Sequence, residues 1–200
     1  MSEDSQHLMK GIRRVTAERL RSGWIEKPQV TLFRTLHLSS SVTGRGFTLR
    51  LARAAIHALT NHPHLNALIT GNEIVIKGHI DLGIAVAGPR GLVVPVIPSA
   101  ETLTEVEFEK VWTSLRERAT KGRLQPTDVG IASFTITNLG NYGVDWFSPI
   151  VNPPAVAILG VGRIQTDFSV VVGLSFDHAA IDGAESGGFL QTFVDSLGMN

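Results

Sequence analysis

The chain has 200 residues, and its 18 Lys or Arg residues balance 18 Asp or Glu residues, so the formal net charge is zero. A neutral chain gives no electrostatic reason to expect nucleic acid or an anionic membrane surface as a partner. Hydrophobic residues make up 43% of the chain and cysteine is absent. This composition excludes global disorder, a disulfide framework, a thiolate metal site and a cysteine nucleophile.

The first ten residues are polar. We expect residues 1–10 to form a flexible lead-in and residues 11–200 to form one domain. The lead-in lacks the apolar stretch of a signal peptide, and no apolar run approaches the ~18 residues of a membrane span. We therefore expect no membrane partner and a cytoplasmic location, or the mitochondrial matrix if the source is eukaryotic.

The first third of the chain predicts two helices and a strand. Residues 11–23 carry apolar side chains at helical spacing, with Gly23 as the expected stop. The arginines of this helix fit a solvated face or a docking arm for a neighbouring subunit. Residues 30–38 are rich in β-branched and aromatic residues and predict a strand, in which Arg34 taken alone indicates an edge or surface position. Residues 47–61 predict the second helix.

Short apolar runs separated by turn signals follow. Gly71-Asn72 predicts a hairpin between residues 65–69 and 73–77. Residues 81–87 and 92–97 are nearly continuous apolar runs, which are typical of buried strands, and the glycines and proline between them predict a tight turn.

A capping box predicts the start of a third helix, which ends near residue 121. The box is formed either by Thr102 with Glu105 or by Thr104 with Glu107. Three further strands are predicted over residues 134–137, 155–161 and 170–176, and a last helix over residues 183–197. Seven or eight strands mixed with four helices predict an α+β two-layer sandwich, in which one mixed sheet carries helices on one face.

Residues 174–188 hold the most informative polar side chains. An apolar strand runs into Asp177-His178, then Asp182, then a helix. A histidine at a strand end can act as a general base near neutral pH, although a structural loop histidine is the alternative. His178 and Asp182 also have the spacing of two metal ligands, and His62 with His64 resembles half of a metal site. Neither pair has a third ligand nearby, so we expect no metal.

A second polar segment covers residues 133–143. Ser133, Thr135 and Thr137 alternate along the predicted strand and therefore lie on one face. Thr137 comes last, where the strand opens into a glycine-rich loop. Taken alone, these hydroxyls are equally explained by the preference of threonine for strands.

The order of the motifs along the chain resembles that of a known family. The matches are GIRRVTAERL at 11–20, HPHLNA at 62–67, DLGIAVAGPRGLVVPVI at 81–97, FTITNLG at 134–140, FSPIVNPPAVAILGVGRI at 147–164 and LSFDHAAIDGA at 174–184. Together they resemble the catalytic core of the dihydrolipoamide acyltransferases of 2-oxoacid dehydrogenase complexes, within the chloramphenicol acetyltransferase-like superfamily.

The resemblance implies a homotrimer, built into a larger core, with active sites between subunits. It implies that His178 is the catalytic base and that Thr137 donates a hydrogen bond to the oxyanion. Asp182 would orient the site and pair with Arg34 of the early strand. The residues expected to line a substrate channel are Asn138, Gly140 and Gly183.

The chain also departs from the family pattern. Ala179 stands where the family usually has arginine, and Gln29 stands where it has histidine. Residues 39–48 lack a helix that is usual there, and residues 164–172 lack most of a hairpin.

The implied reaction is acyl transfer from S-acyl-dihydrolipoamide to coenzyme A, which is a substrate. The lipoyl group, and the contacts with the dehydrogenase and dihydrolipoamide dehydrogenase components, would belong to domains not in this chain. Two alternatives are a non-catalytic structural core subunit of the same fold and a CoA-dependent acyltransferase with another acceptor. Asp177 argues against the second, because antibiotic acetyltransferases and condensation domains tend to carry a second histidine there.

Overall fold

The computed structural model describes residue 8 and residues 11–39, 46–89 and 91–197. Apart from Leu8, the predicted lead-in lies outside these residues. The α-helices are α1 (Ile12–Glu26), α2 (Phe47–Asn61), α3 (Glu105–Thr120) and α4 (Gly183–Ser196). The strands are β1 (Gln29–His37), β2 (Ala67–Thr70), β3 (Glu73–Ile76), β4 (Leu82–Ile84), β5 (Val86–Gly88), β6 (Gly91–Val93), β7 (Val96–Ile97), β8 (Phe134–Asn138), β9 (Ala157–Val161) and β10 (Ser169–Asp177).

Six strands form one mixed sheet in the order β1-β10-β9-β8-β4-β7. Strands β4, β8 and β9 run parallel, and the other pairs in the sheet are antiparallel. Helices α2 and α4 pack together over one face, and Phe134 of β8 meets Phe189 of α4 with ring centroids 5.5 Å apart. The α+β class and the placement of helices on one face are confirmed.

Residues 146–149 lie over the other face of the sheet, next to Gly160 and Gly173. Gly173 of β10 packs closely here: an added Cβ would stand 2.8 Å from the ring of Phe33 on β1 and 3.0 Å from the carbonyl oxygen of Phe147. Phe33 in turn meets Trp146 edge to face at 5.5 Å. Trp146 is nevertheless 63% exposed, so this layer leaves apolar surface free in the single chain.

The predicted strands over residues 81–87 and 92–97 are each divided in two. Their outer parts, β4 and β7, pair inside the main sheet, whereas β5 and β6 form a separate hairpin. The hairpin is not buried as predicted: Leu92 is 62% exposed. The apolar pattern did not predict this division, because it continues from the strands of the main sheet into the strands of the surface hairpin.

The structure decides where α1 ends and which residues cap the start of α3. Helix α1 continues past Gly23 to Glu26, so Gly23 is not the stop; an added Cβ there would lie 2.3 Å from Pro153 Cγ, which explains the glycine by close packing. For α3 the capping box is Thr104 with Glu107, whose carboxylate accepts the Thr104 backbone N–H at 2.9 Å.

An ion pair fastens α3 to the segment that leads into β8. Arg118 donates to both carboxylate oxygens of Asp128, with Nε at 2.8 Å and Nη2 at 2.6 Å. Asp128 is buried and also accepts the Gln125 backbone N–H at 2.8 Å. Chiefly through the Arg118 bond, the pKa of the Asp128 carboxyl lies below its ordinary value.

No helix in the described part of the chain is long and apolar enough to cross a membrane.

Candidate active site

One half of the candidate site lies at the carboxyl end of β8. Thr137 is buried there and points away from the helices, because its alternating neighbour Ile136 belongs to the core. The backbone N–H of Ala85 donates to Ile136 at 2.9 Å, which places Ala85 beside Thr137 on the neighbouring strand. Within the described residues the Thr137 hydroxyl has no hydrogen-bond partner. It is free to donate to a ligand.

A cavity of about 290 Å³ opens beside Thr137. Its walls come from the end of β8, the loop that follows and the β5–β6 hairpin. The lining residues are Ala85, Ala87, Gly88, Gly91, Leu92, Thr137, Asn138, Leu139 and Tyr142. Two alanines and two glycines create this space. These small residues are visible in the sequence inside an apolar run, but the run by itself predicted only buried strands.

The loop after β8 is held by one side-chain hydrogen bond and by close packing of a glycine. The side-chain oxygen of Asn138 accepts the Gly140 N–H at 2.8 Å. An added Cβ at Gly140 would lie 2.7 Å from the Gly162 carbonyl oxygen. Of the predicted channel residues, Asn138 therefore lines the cavity. Gly140 does not line it but packs closely against the backbone of Gly162.

The other half of the candidate site follows the end of β10. Asp177 is buried, and its carboxylate accepts the Ala179 N–H at 3.0 Å. The Asp177 carbonyl also accepts the N–H groups of Ala180 and Ile181. This tight turn presents His178 at the surface, with its ring 5.7 Å from the Phe176 ring. Asp177 is thus a turn-forming residue, a role that the sequence alone did not reveal.

Asp182 begins the last helix. Its carboxylate caps α4 by accepting the Glu185 N–H at 2.8 Å. Glu185 itself pairs with His64 at 2.8 Å. Gly183 is the first residue of α4, so this predicted channel residue lies at the His178 end and not at the cavity beside Thr137.

The expected pairing of Asp182 with Arg34 is wrong within the chain. Arg34 faces Val172 across the β1–β10 ladder, five positions from the Gln29–Asp177 pair that precedes His178. Five extended residues span about 17 Å. Arg34 instead donates to Gln191 Oε1 at 2.7 Å, farther along α4.

Thr137 and His178 lie at opposite ends of the sheet. Thr137 of β8 pairs with Gly160 of β9, and Gly160 pairs with Gly173 of β10. His178 lies five residues after Gly173, beyond the end of β10. With ~3.3 Å per residue and ~4.8 Å per strand, the two residues are separated by about 17 Å along the sheet and about 10 Å across it. A single chain therefore does not bring the two side chains together.

Gln29 occupies the position where the resembled family has histidine, and it has a structural role. Its side chain donates to the Pro149 carbonyl at 3.2 Å and accepts the Val151 N–H at 2.8 Å. Gln29 thereby fixes residues 149–151 to the edge strand β1, close to the turn that carries His178.

The histidines that resembled a metal site have other partners. His62 bonds to Thr192 at 2.9 Å and His64 pairs with Glu185. Over the described ranges, no group of three potential ligands is positioned to hold a metal ion.

Comparison with known proteins decides the family. A family model described as "2-oxoacid dehydrogenases acyltransferase (catalytic domain)" matches residues 1–199. The chain belongs to this family. The catalytic-domain match covers nearly the whole chain and agrees with the motif order found in the sequence.

Relatives with a curated description include two kinds of acyltransferase component. The chain is 34% identical to the dihydrolipoyllysine-residue succinyltransferase component of the 2-oxoglutarate dehydrogenase complex of Haemophilus influenzae, over 94% of this chain and 53% of the relative. It is 35% identical to the dihydrolipoyllysine-residue acetyltransferase component of the acetoin cleaving system of Bacillus subtilis, over 94% of this chain and 54% of the relative. The chain thus spans about half the length of these relatives.

Solved structures confirm the fold. A truncated catalytic core of the 2-oxoacid dehydrogenase multienzyme complex from Thermoplasma acidophilum superposes with a TM-score of 0.88 at 31% identity, covering 98% of both chains. Chloramphenicol acetyltransferase matches with a TM-score of 0.56 at 14% identity. At that identity the second likeness supports the fold alone.

Proposed function

We propose that this acyltransferase domain moves an acyl group from S-acyl-dihydrolipoamide to coenzyme A at a site formed between two protomers. The observation that carries the proposal is the pair of separated half-sites. Thr137 offers a free donor at a cavity, and His178 is exposed at the other end of the sheet. Two such halves form one site only if the Thr137 end of one protomer meets the His178 end of another.

The proposed chemistry divides between the two halves. His178 accepts the proton of the CoA thiol, because a thiolate is a far better nucleophile than a thiol. The thiolate attacks the thioester carbonyl, and the Thr137 hydroxyl donates a hydrogen bond to the oxyanion. Collapse of the intermediate breaks the bond to the S8 sulfur of the lipoyl group, and the leaving thiolate takes the proton from the imidazolium. The products are acyl-CoA and dihydrolipoamide.

Exposed apolar side chains support the association of protomers. Trp24, Ile25, Tyr142 and Trp146 are all more than half exposed in the single chain. Large apolar side chains left on a surface are typical of subunit contacts. The proposed assembly is a homotrimer within a larger core, where closed symmetry repeats the same two-sided contact three times.

The lipoyl group is proposed to be carried on a separate domain and delivered to this site, so that the protein acts with the dehydrogenase and dihydrolipoamide dehydrogenase components of a complex. The names of the relatives, which are components of such systems, support this assignment.

The test is formation of acyl-CoA from CoA and acyl-dihydrolipoamide by the purified protein. Saturable turnover is the expected result. A protein that assembles but forms no acyl-CoA would be a structural core subunit instead. Transfer from acyl-CoA to an amine or a simple alcohol, but not to dihydrolipoamide, would assign a different acceptor.

A further inference from the structure

The two-stranded sheet of β2 and β3 has one occupied edge and one free edge. On β2, the Ile69 N–H donates to the Pro154 carbonyl at 2.8 Å, and the Ala67 carbonyl accepts the Val156 N–H at 3.2 Å. The outward backbone groups of β2 are thus paired with the segment that leads into β9. Among the residues that the structure describes, β3 has no strand neighbour other than β2.

Alternation along β3 identifies the backbone groups at the free edge. The Lys77 N–H donates to the Asn66 carbonyl at 2.9 Å and so points towards β2. Because the backbone groups of successive strand residues face opposite sides, those of Val75 also face β2, whereas those of Ile74 and Ile76 face outward. The free edge therefore offers two N–H donors and two carbonyl acceptors to another strand.

The side chains at this edge are apolar on both faces of the hairpin. Ile74, Val75 and Ile76 are 48%, 41% and 45% exposed. Edge strands are usually protected from pairing with another chain by a central charge, a proline or a bulge. Here the charges stand only at the two ends, on Glu73 and Lys77. An edge of this composition is suited to being covered by another strand.

The sequence EIVIK of residues 73–77 is complementary to itself when a second copy runs antiparallel to it. With Val75 opposite Val75 of the second copy, the outward groups of Ile74 meet those of Ile76, and four inter-strand hydrogen bonds form. The same register places Glu73 opposite Lys77 at both ends, and opposite charges across a strand pair are stabilising. Neither charge has an ion-pair partner within the described ranges. Sliding the second copy by two residues would break both charge pairs.

We propose that β3 of one copy pairs with β3 of a second copy, antiparallel, about a two-fold axis beside Val75. The contact is isologous, because the same surface serves both copies. It differs from the proposed contact between the Thr137 end and the His178 end, which joins unlike surfaces. A two-fold contact joins one trimer to the next, so this step rests on the proposed homotrimer, whereas the strand pairing itself does not.

The first test uses the absence of cysteine from the chain. Val75→Cys places two thiols in a non-hydrogen-bonded pair, whose Cα atoms lie about 4.5 Å apart, within the span of a disulfide. Mild oxidation should therefore link Val75→Cys copies in pairs, measured on a non-reducing gel. The matched control is Ile74→Cys, whose thiols are offset by two residues, about 7–8 Å apart, and should not link to each other. Equal linking of the two variants, or none in either, overturns the inference.

The second test measures the mass of the assembly by sedimentation or light scattering. Val75→Lys and Val75→Glu each place like charges opposite each other on the axis, so each variant alone should have the mass of a trimer. Mixing the two purified variants brings opposite charges together and should restore the larger assembly. Val106→Lys, at an exposed position on α3, is the control for an added surface charge and should keep the wild-type mass.

The outcomes separate this inference from the proposed function. If Val75→Lys keeps the wild-type mass, or breaks the trimers themselves into monomers, the inference is overturned; the second result would place β3 in the contact within a trimer. A protein that links through Val75→Cys but forms no acyl-CoA in either its linked or its wild-type form removes the proposed function and leaves the strand pairing standing.

Discussion

The Thr137 end and the His178 end of the sheet differ in how completely each is built within one chain. Thr137 is buried beside a formed cavity, and its loop is fixed by Asn138 and Gly140. His178 is exposed on a tight turn, and Asp177 fixes only the backbone beneath it. The Thr137 half thus has a cavity beside it, whereas the proposed base His178 has no substrate-binding wall around it among the described residues. The contrast supports the proposal that association of protomers, and not a movement within the chain, completes the site.

The largest effect is expected at the exposed half. Replacing His178 with alanine removes the proposed base, and general-base assistance contributes about 10²–10⁴-fold. We expect kcat to fall by a factor in that range, measured as acyl-CoA formation under saturating substrates. Because the side chain is exposed, the thermal unfolding midpoint should remain close to that of the wild type. An unchanged kcat would show that His178 is not the base.

Thr137 is expected to give the next largest effect. Thr137→Ala removes one oxyanion donor, which costs about 10²–10³-fold in kcat. Thr137→Ser keeps the hydroxyl and should restore most of the activity in the same assay. If serine and alanine are equally impaired, the threonine acts through its methyl packing and not through its hydroxyl.

A substitution at Asp128, which precedes the Thr137 strand and does not contact Thr137, should affect stability. In Asp128→Asn the charge-assisted bonds from Arg118 are weakened, and a hydrogen bond to a charged group contributes about 1.5–3 kcal/mol. Chemical denaturation should show a loss of up to that size in the free energy of unfolding. Arg116→Ala, an exposed arginine on the same helix, is the matched control and should change little.

The pH dependence of that pair has a definite sign. The pKa of the Asp128 carboxyl is lowered in the folded protein, chiefly by the bond from Arg118. Its contribution to stability is therefore fully present above the ordinary aspartate pKa and is lost as the pH falls through the lowered folded value. The difference between wild type and Asp128→Asn should shrink over that acidic range. A constant difference would mean that packing, and not charge, explains the variant.

The smallest effect is expected at Asp182. As an N-cap of α4, its replacement by alanine should cost about 1 kcal/mol of stability. Asn caps a helix as well as Asp does, so Asp182→Asn should retain both stability and kcat. Loss of kcat in both variants at unchanged stability would instead assign the carboxylate charge a role in the reaction.

The sequence predicted the fold class better than it predicted which residues meet in the folded chain. Helical periodicity found α2 and α4, because each of these helices buries one face. The strands β8 and β10 were found from their β-branched and aromatic residues, and nearly every position of both is buried. The prediction of buried strands failed over residues 81–97, because this one apolar run forms both strands of the main sheet and a surface hairpin. The pairing of Arg34 failed for another reason: strand register decides which residues meet, and Arg34 lies too far along the β1–β10 ladder from Asp182.

The account depends most on the claim that each site takes Thr137 from one protomer and His178 from another. Mixing inactive Thr137→Ala and His178→Ala subunits, by coexpression or joint refolding, tests it directly. In a trimer every mixed assembly contains one intact site, so random mixing of equal amounts should restore about a quarter of the wild-type activity. Activity no greater than the sum of the two separate variants would contradict a site shared between protomers.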